Sequence, residues 1–286
     1  MKIRAPAKIN LNLRVVGRRR DGYHRLDTIL LPVSLYDEIE IRRLRSPRAD
    51  KKTKIEVACA HPSVPSGERN IVYRAAELIL RQAGKAEHIH IRVRKRIPVG
   101  AGLGGGSSDA AATLIGLNRM LKLGLSQTKL EKLGLSLGAD VPFFIRARPA
   151  RARGIGERLT PLRKVPRLWL VIVYPGFPVS TAWAFKKLAL TLTKFSTNTS
   201  ISSSLKRFDR LPDLLVNDLE RVTLRRYPKI RALKEQLLHH GATGGLMSGS
   251  GSSVFGIFNS RRAALRALRR LRLEEGCRAF LVHVLS

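Results

Sequence analysis

Pro98-Val99-Gly100-Ala101-Gly102-Leu103-Gly104-Gly105-Gly106-Ser107-Ser108-Asp109-Ala110-Ala111 is the stretch on which the reading of this chain turns. It follows residues 88–93, where basic and β-branched residues alternate as on a half-buried strand, and it leads into a segment of helical spacing. Five of the seven residues 100–106 are glycine. Without a Cβ in the way, successive backbone N–H groups approach an anion closely, and the helix that follows adds the positive end of its dipole. Ser107 and Ser108 offer hydroxyls to phosphate oxygens, and one of them is expected to cap the helix. A loop kept only for tight packing accounts poorly for five glycines followed by two serines.

Two better-known phosphate loops do not fit. A Walker loop ends in Gly-Lys-Ser/Thr, with the lysine on the β- and γ-phosphates, whereas here the glycines run into Ser107 with no lysine after them. Gly100, Gly102 and Gly105 satisfy the dinucleotide pattern G-x-G-x-x-G. That pattern also needs a second strand and an acid roughly 20 residues on to hold a ribose. This chain offers Leu121-Lys122-Leu123-Gly124 and then only Glu131.

Outward from the loop, residues 2–16, 26–33, 36–44 and 55–58 read as strands, with turn chemistry at Arg20-Asp21-Gly22 and a basic connection over 46–54. Asn70 caps a helix with Val72, Ala75, Ala76 and Ile79 on one face and Gly84 to stop it. The helix after the glycine loop carries Ala111, Leu114, Ile115 and Met120 at helical spacing as far as Gly124. Another spans 126–137 and ends at Gly138-Ala139-Asp140-Val141-Pro142. Residues 168–174 form a buried strand, 191–204 a flexible Ser/Thr loop, and 212–221 and 228–240 helices. Residues 241–253 form a second Gly/Ser loop, followed by a strand at 254–258, an amphipathic helix at 261–271 and a last strand at 278–285. The pattern predicts two α+β lobes, drawn as 1–162 and 163–286, each with one glycine-rich loop.

The chain of 286 residues is 44% hydrophobic and 26% charged, as in soluble globular proteins, and has no apolar run near the ~20 residues that cross a bilayer. With Cys59 and Cys277 far apart and no signal-peptide core at the N-terminus, a cytoplasmic protein is expected. The formal net charge of +33 favours polyanions in general. Its basic residues are spread over the whole chain with few aromatic residues between them, which argues against a nucleic-acid platform. The histidines show no metal-ligand spacing, so no metal site is assigned to protein side chains, and nothing in the pattern specifies an oligomer or a membrane contact.

Residues 98–112 resemble the second motif of the GHMP kinases, the superfamily of galactose, homoserine, mevalonate and phosphomevalonate kinases. Pro6-Ala7-Lys8-Ile9-Asn10-Leu11 resembles the first motif and Met247-Ser248-Gly249-Ser250-Gly251-Ser252-Ser253-Val254-Phe255-Gly256 the third. Asp21-Gly22-Tyr23-His24, Gly138-Ala139-Asp140-Val141-Pro142-Phe143-Phe144 and Asn217-Asp218-Leu219-Glu220 are similar to the branch that phosphorylates a cytidine diphosphate-linked polyol on the way to isoprenoids. Arg25 departs from that branch, as does the overall basicity. The resemblance implies a two-lobed α+β fold, with an N-terminal lobe like ribosomal S5 domain 2 and a ferredoxin-like C-terminal lobe. It implies ATP and Mg2+ as cofactors, with the phosphates cradled by Pro98, Val99, Gly100, Ala101, Gly102, Leu103, Gly104, Gly105, Gly106, Ser107 and Ser108.

The resemblance also assigns roles. Asp140 becomes the base for the acceptor hydroxyl, where residue type alone suggests an ordinary helix-end aspartate. Lys8 becomes the cation that keeps Asp140 ionised and steadies the alkoxide, where strand position alone suggests a solvent-facing lysine. Asn10, two residues on, binds substrate. Tyr23 stacks on the cytosine, His24 hydrogen-bonds its edge, and Phe185 lies on its other side with Tyr174 as a rival; Thr181 adds a polar contact. The third motif supports the phosphate loop. Asp109 is left either beside the magnesium ion or serving the helix N-terminus. The alternatives are a kinase for homoserine, mevalonate or another small alcohol, which offers the Tyr-His pair no nucleobase, and a basic S5-like protein that binds nucleic acid.

Overall fold

Alternation of apolar residues builds the first sheet of the computed structural model, which describes residues 1–44, 52–163, 165–188 and 211–285. β1 (Lys2–Arg18) pairs with β2 (His24–Leu44), a single long strand where the sequence pattern suggests two. Pro32 does not break it. A proline lacks only a donor, and Pro32 contributes its carbonyl, which accepts the N–H of Leu285. The expected connection over 46–54 falls largely, and the loop over 191–204 wholly, outside the described residues.

The chain separates into two units that interleave in sequence. The first comprises Met1–Ala7, Leu35–Val99 and Gly104–Ala147, the second Lys8–Ser34, Gly100–Leu103 and Arg148–Ser286. In the first unit β4 (His88–Arg94) lies antiparallel to β2, from Glu38 opposite Arg94 to Leu44 opposite His88, and parallel to β3 (Lys54–Cys59). Ile39, Ile41, Ile89 and Ile91 alternate onto one face and are wholly buried.

Helices α1 (Ile71–Gln82), α2 (Gly105–Met120), α3 (Gln127–Leu137) and α4 (Val141–Arg146) complete this unit. The Asn70 side chain caps α1 by accepting the Val72 N–H, and Ser126 caps α3 by accepting that of Lys129. Gly116 lets α2 lie directly on the strands, since a Cβ there would come within 2.6 Å of the Ile3 and Ile41 side chains. α4 is an element that the sequence pattern does not announce: Pro142, which reads as a stop, sits in its first turn, where a missing N–H costs nothing.

In the second unit β5 (Ala150–Gly154) pairs with residues 26–30 of β2 and with β6 (Arg158–Pro161). A separate antiparallel sheet has the order β10 (Arg278–His283), β7 (Trp169–Tyr174), β9 (Val254–Phe258), β8 (Gly244–Met247). α5 (Thr181–Leu188), α6 (Glu220–Arg226), α7 (Pro228–His239) and α8 (Arg261–Arg270) belong to this unit, whose core joins Leu13 and Val15 to Val171, Leu233, Phe258 and Ala267. The helix expected over 212–221 is instead a short 3-10 turn, Pro212–Leu214, with α6 beginning only at Glu220. Asn217 accounts for the gap, because its side chain engages the backbone of the loop after β8 and accepts the Leu219 N–H. No helix among the described residues is long and apolar enough to cross a membrane.

Candidate active site

The glycine loop contributes to both units. In the first, Pro98 is buried and Val99 half-buried as the chain leaves β4, and Gly104, at φ +71°, takes the N-cap position of α2. Neither serine caps the helix: Ser107 and Ser108 lie inside its first turn, with Ser108 Oγ buried and unpaired. The physical reason is the left-handed turn at Gly104, which starts the helix three residues early. The N–H groups of Gly105, Gly106 and Ser107 are ones that an α-helix leaves without an intrahelical acceptor, as an anion site requires.

Asp140 belongs to the first unit. It heads α4, at the N-cap position, and does not end α3 as expected; its carboxylate makes no capping hydrogen bond. Buried Val141, Pro142, Phe143 and Phe144 follow it. Its turn adjoins the glycine loop: a Cβ on Gly138 would lie 3.9 Å from Ser107 Oγ.

Three charged side chains beneath the loop form a group that the sequence motifs do not announce. Lys95 Nζ donates to Asp37 Oδ2 and, at 2.7 Å, to Asp109 Oδ2, and all three side chains are almost completely buried. Asp109 is therefore turned inward onto Lys95, and not toward the helix end. Its carboxyl is pushed up to about 8, chiefly by burial and further by the Asp37 charge, which together outweigh Lys95. Burial works against the Lys95 ammonium, but the two carboxylates more than offset it and raise its pKa. On the same unit a groove of about 790 Å³ is lined by Val57, Cys59, His61, Arg92 and Lys95. Lys95 Nζ would be 3.2 Å from a Cβ on Gly105, so the lysine that borders the groove also lies against the start of α2.

In the second unit Lys8 is 5% exposed and does not face solvent. Its Nζ donates to Asn10 Oδ1 at 2.6 Å and to the Gly102 carbonyl at 2.9 Å, while its N–H donates to the Leu103 carbonyl. Asn10 Nδ2 donates to Thr28 Oγ1, and the Asn10 N–H to Ser248 Oγ. Ser248 Oγ in turn donates to Gly102 at 2.9 Å. The carbonyls of Gly100 and Ala101 accept the N–H groups of Val179 and Ser253. The first motif, the start of the second and the third are thus one hydrogen-bonded network. A Cβ on Gly249 would lie 3.4 Å from Lys8 Nζ, so the third motif runs close beside the lysine.

His24 and Phe185 stack, with ring centroids 5.1 Å apart and planes 24° from parallel. Burial, and then Arg18, lowers the His24 pKa, and its buried Nε2 has no hydrogen-bond partner. Tyr23 is 61% exposed and makes no ring contact among the described residues, whereas Tyr174 ends β7 opposite Arg278. Thr181 Oγ1 lies 2.9 Å from Ser250 Oγ of the third motif. Among the described residues no cluster of three His, Cys, Asp or Glu could hold a metal ion.

Residues 70–148 match the family model for the GHMP kinases N terminal domain and residues 201–275 that for GHMP kinases C terminal. The chain is 48% identical over 276 residues, 96% of each chain, to the 4-diphosphocytidyl-2-C-methyl-D-erythritol kinase of Citrifermentans bemidjiense. It superimposes on a crystal structure of 4-(cytidine 5'-diphospho)-2C-methyl-D-erythritol kinase with a TM-score of 0.85 and 37% identity, covering 99% of each chain. Homoserine kinase from Cytophaga hutchinsonii, at 19% identity and TM-score 0.72 over 100% of this chain and 97% of that one, shares the fold.

Proposed function

The chain belongs to the GHMP kinases, in the 4-diphosphocytidyl-2-C-methyl-D-erythritol kinase family, and we infer that it phosphorylates the 2-hydroxyl of that cytidylated polyol at the expense of ATP. The observation that carries this reading is the network in which Lys8 is fixed by Asn10 and Gly102, in the same unit as the His24–Phe185 stack. A kinase for a small alcohol needs the first feature and has no use for the second.

In the reaction the substrate oxygen attacks the γ-phosphorus, and a new P–O bond forms as the bond to the β,γ-bridging oxygen breaks. ADP leaves with that electron pair, and the hydroxyl proton passes to Asp140. The free first-turn amides of α2 hold phosphate oxygens, and the groove at Val57, Cys59 and His61 takes the adenine. Lys8 supplies positive charge for the developing alkoxide. Magnesium, a hard cation that takes most of its ligands from water and substrate phosphates, would neutralise triphosphate charge at the first turn of α2.

His24, held neutral by burial, has Nε2 unpaired for an edge of the cytosine, and Phe185 provides a stacking face. Tyr23 is assigned the second face, and Asn10 and Thr181 polar contacts to the polyol diphosphate. The lobes of the family fold are drawn at 1–162 and 163–286 in chain order. With Cys59 and Cys277 both free thiols, the protein is assigned to the cytoplasm.

The test is ADP release by the purified protein with Mg-ATP and each of three alcohols: the cytidylated polyol, homoserine and mevalonate. Turnover with the first alone is expected. Turnover with homoserine or mevalonate in its place would overturn the substrate and keep the kinase. Silence with all three, together with salt-sensitive binding of polynucleotides, would favour the basic surface.

A further inference from the structure

The glycine loop is anchored from below by groups that the chemistry does not use. Asp37 comes from the middle of β2, and its Oδ1 accepts the N–H groups of Arg96 at 2.6 Å and Ile97 at 2.9 Å. These are the last two residues before Pro98, where the loop begins. Asp37 Oδ2 accepts Lys95 Nζ, and Lys95 also donates to Asp109, in the second turn of α2, where the loop has ended. One lysine therefore ties the entry of the loop to its exit. The contact is close on both sides, because a Cβ on Gly105 would meet Ile97 Cγ2 at 3.0 Å and Lys95 Nζ at 3.2 Å.

We propose that Asp37, Lys95 and Asp109 are positioning residues that set the span of the glycine loop, and so the aim of the α2 amides at the ATP phosphates. The proposal rests on the reading of the chain as an ATP-dependent kinase, and not on which alcohol it phosphorylates.

The charge count gives the clasp a second property. One ammonium between two carboxylates, all three nearly buried, leaves a net charge of −1 beneath a site for a polyanion. A single proton removes that charge. Asp37 accepts three hydrogen bonds, whereas Asp109 accepts one at Oδ2 and none at Oδ1. The proton therefore belongs to Asp109, consistent with its carboxyl being pushed up to about 8.

Charged groups on the neighbouring helices point elsewhere. On α1, Arg74 and Glu77 are exposed; on α3, Lys129 and Lys132 are exposed and Glu131 pairs with Arg146 of α4; on α2 itself Arg119 is exposed. Among the described residues the charged groups that act on Asp109 are Lys95 and Asp37, both from the strand side.

The experiment compares Asp109→Asn, Asp109→Leu and Asp37→Asn in the full chain. ATP dissociation constants come from calorimetry without the second substrate, and KM for each substrate from ADP release. Asparagine reproduces a neutral Asp109, so Asp109→Asn is expected within about threefold of wild type for ATP at pH 7. Asp109→Leu and Asp37→Asn are expected to weaken ATP by tenfold or more, with KM for the alcohol within twofold. In the wild type Mg-ATP binding weakens at least threefold from pH 7 to pH 9, a range in which the magnesium complex of ATP is already fully ionised, and Asp109→Asn abolishes that change.

Equal losses in Asp109→Asn and Asp109→Leu, or a parallel rise of both KM values, would overturn the proposal. If Asp37→Asn or Asp109→Leu fails to fold, the pH dependence of ATP binding in wild type and Asp109→Asn decides alone. Turnover with a different alcohol would remove the substrate assignment, and the ATP measurements would still decide for or against the clasp.

Discussion

Gly102→Ala tests the loop network quantitatively. Gly102 adopts φ +76°, and a Cβ on it would lie 2.0 Å from the Ser248 carbonyl oxygen and 3.0 Å from that of Gly251. The left-handed backbone costs alanine about 1–2 kcal/mol. A backbone oxygen at that distance cannot rotate away, so the overpacking adds about 1–3 kcal/mol, for a total of about 2–5 kcal/mol. Gly241→Ala isolates the first cost. It lies in the same unit, at φ +88°, with nothing within 4 Å of the added Cβ, and should lose only about 1–2 kcal/mol. Urea denaturation of the two variants measures the difference. Relief of the clash moves the Gly102 carbonyl, which accepts both Lys8 Nζ and Ser248 Oγ, so kcat should also fall at least tenfold in Gly102→Ala and stay level in Gly241→Ala. Equal destabilisation of the two, or full activity in Gly102→Ala, would refute the claim that this carbonyl holds the lysine in place.

Asp140→Asn should bind ATP normally and lose several orders of magnitude in turnover; near-normal turnover would remove Asp140 from the mechanism. If Lys8 and Asp140 serve one step, Lys8→Met added to Asp140→Asn should cost far less than it does in wild type, a non-additivity that single-turnover rates measure directly. Phe185→Ala should raise KM for the cytidylated substrate about tenfold and leave KM for ATP within twofold, as loss of the stack with His24 requires. Asp109 keeps its proton to about pH 8 when folded but ionises near 3.8 when unfolded, so the folded state holds the extra proton between those values. Its contribution to stability is fully present below about 3.8 and is lost as pH rises through about 8, by at most about 1.4 kcal/mol per pH unit. Urea midpoints of Asp109→Asn and wild type, compared from pH 5 to pH 8, should diverge in the variant's favour as pH rises.

Local signals in the sequence are reliable where the structure is local. Asn70 and Ser126 cap their helices because a capping side chain needs only a backbone N–H two or three residues away. Signals fail where a distant partner decides. β5 is Ala150-Arg151-Ala152-Arg153-Gly154, too basic to read as a strand, and it forms by pairing its backbone with residues 26–30 while Ala150, Ala152 and Gly154 are buried. β8, Gly244-Gly245-Leu246-Met247, reads as loop for want of side chains and is wholly buried. Lys8 illustrates a third case: strand alternation alone sends a lysine outward, and only the family resemblance turns it inward.

The clasp, by contrast, is partly legible in strand periodicity. Residues 37, 39 and 41 share one face of β2, and 89, 91, 93 and 95 continue one face of β4, so period two puts Asp37 and Lys95 on the side that buries four isoleucines. An acid and a base at inward positions of adjacent strands call for each other. Their third partner, Asp109, lies 14 residues after the lysine across the glycine loop, and periodicity carries no information over that distance.

The interleaving of the two units has a consequence for biosynthesis. Leu13 and Val15 leave the ribosome long before Phe258 and Ala267, with which they share one core. At roughly 5–20 residues per second, those strand residues wait some tens of seconds for the surface that buries them. The intervening segment can meanwhile bring together β3, β4 and the helices from α1 to α4, whose contacts are nearer in sequence and close faster. A nascent chain of this kind shows an apolar strand to chaperones throughout translation. A stop codon before α8 should therefore yield a product that aggregates, and not a half-enzyme that folds.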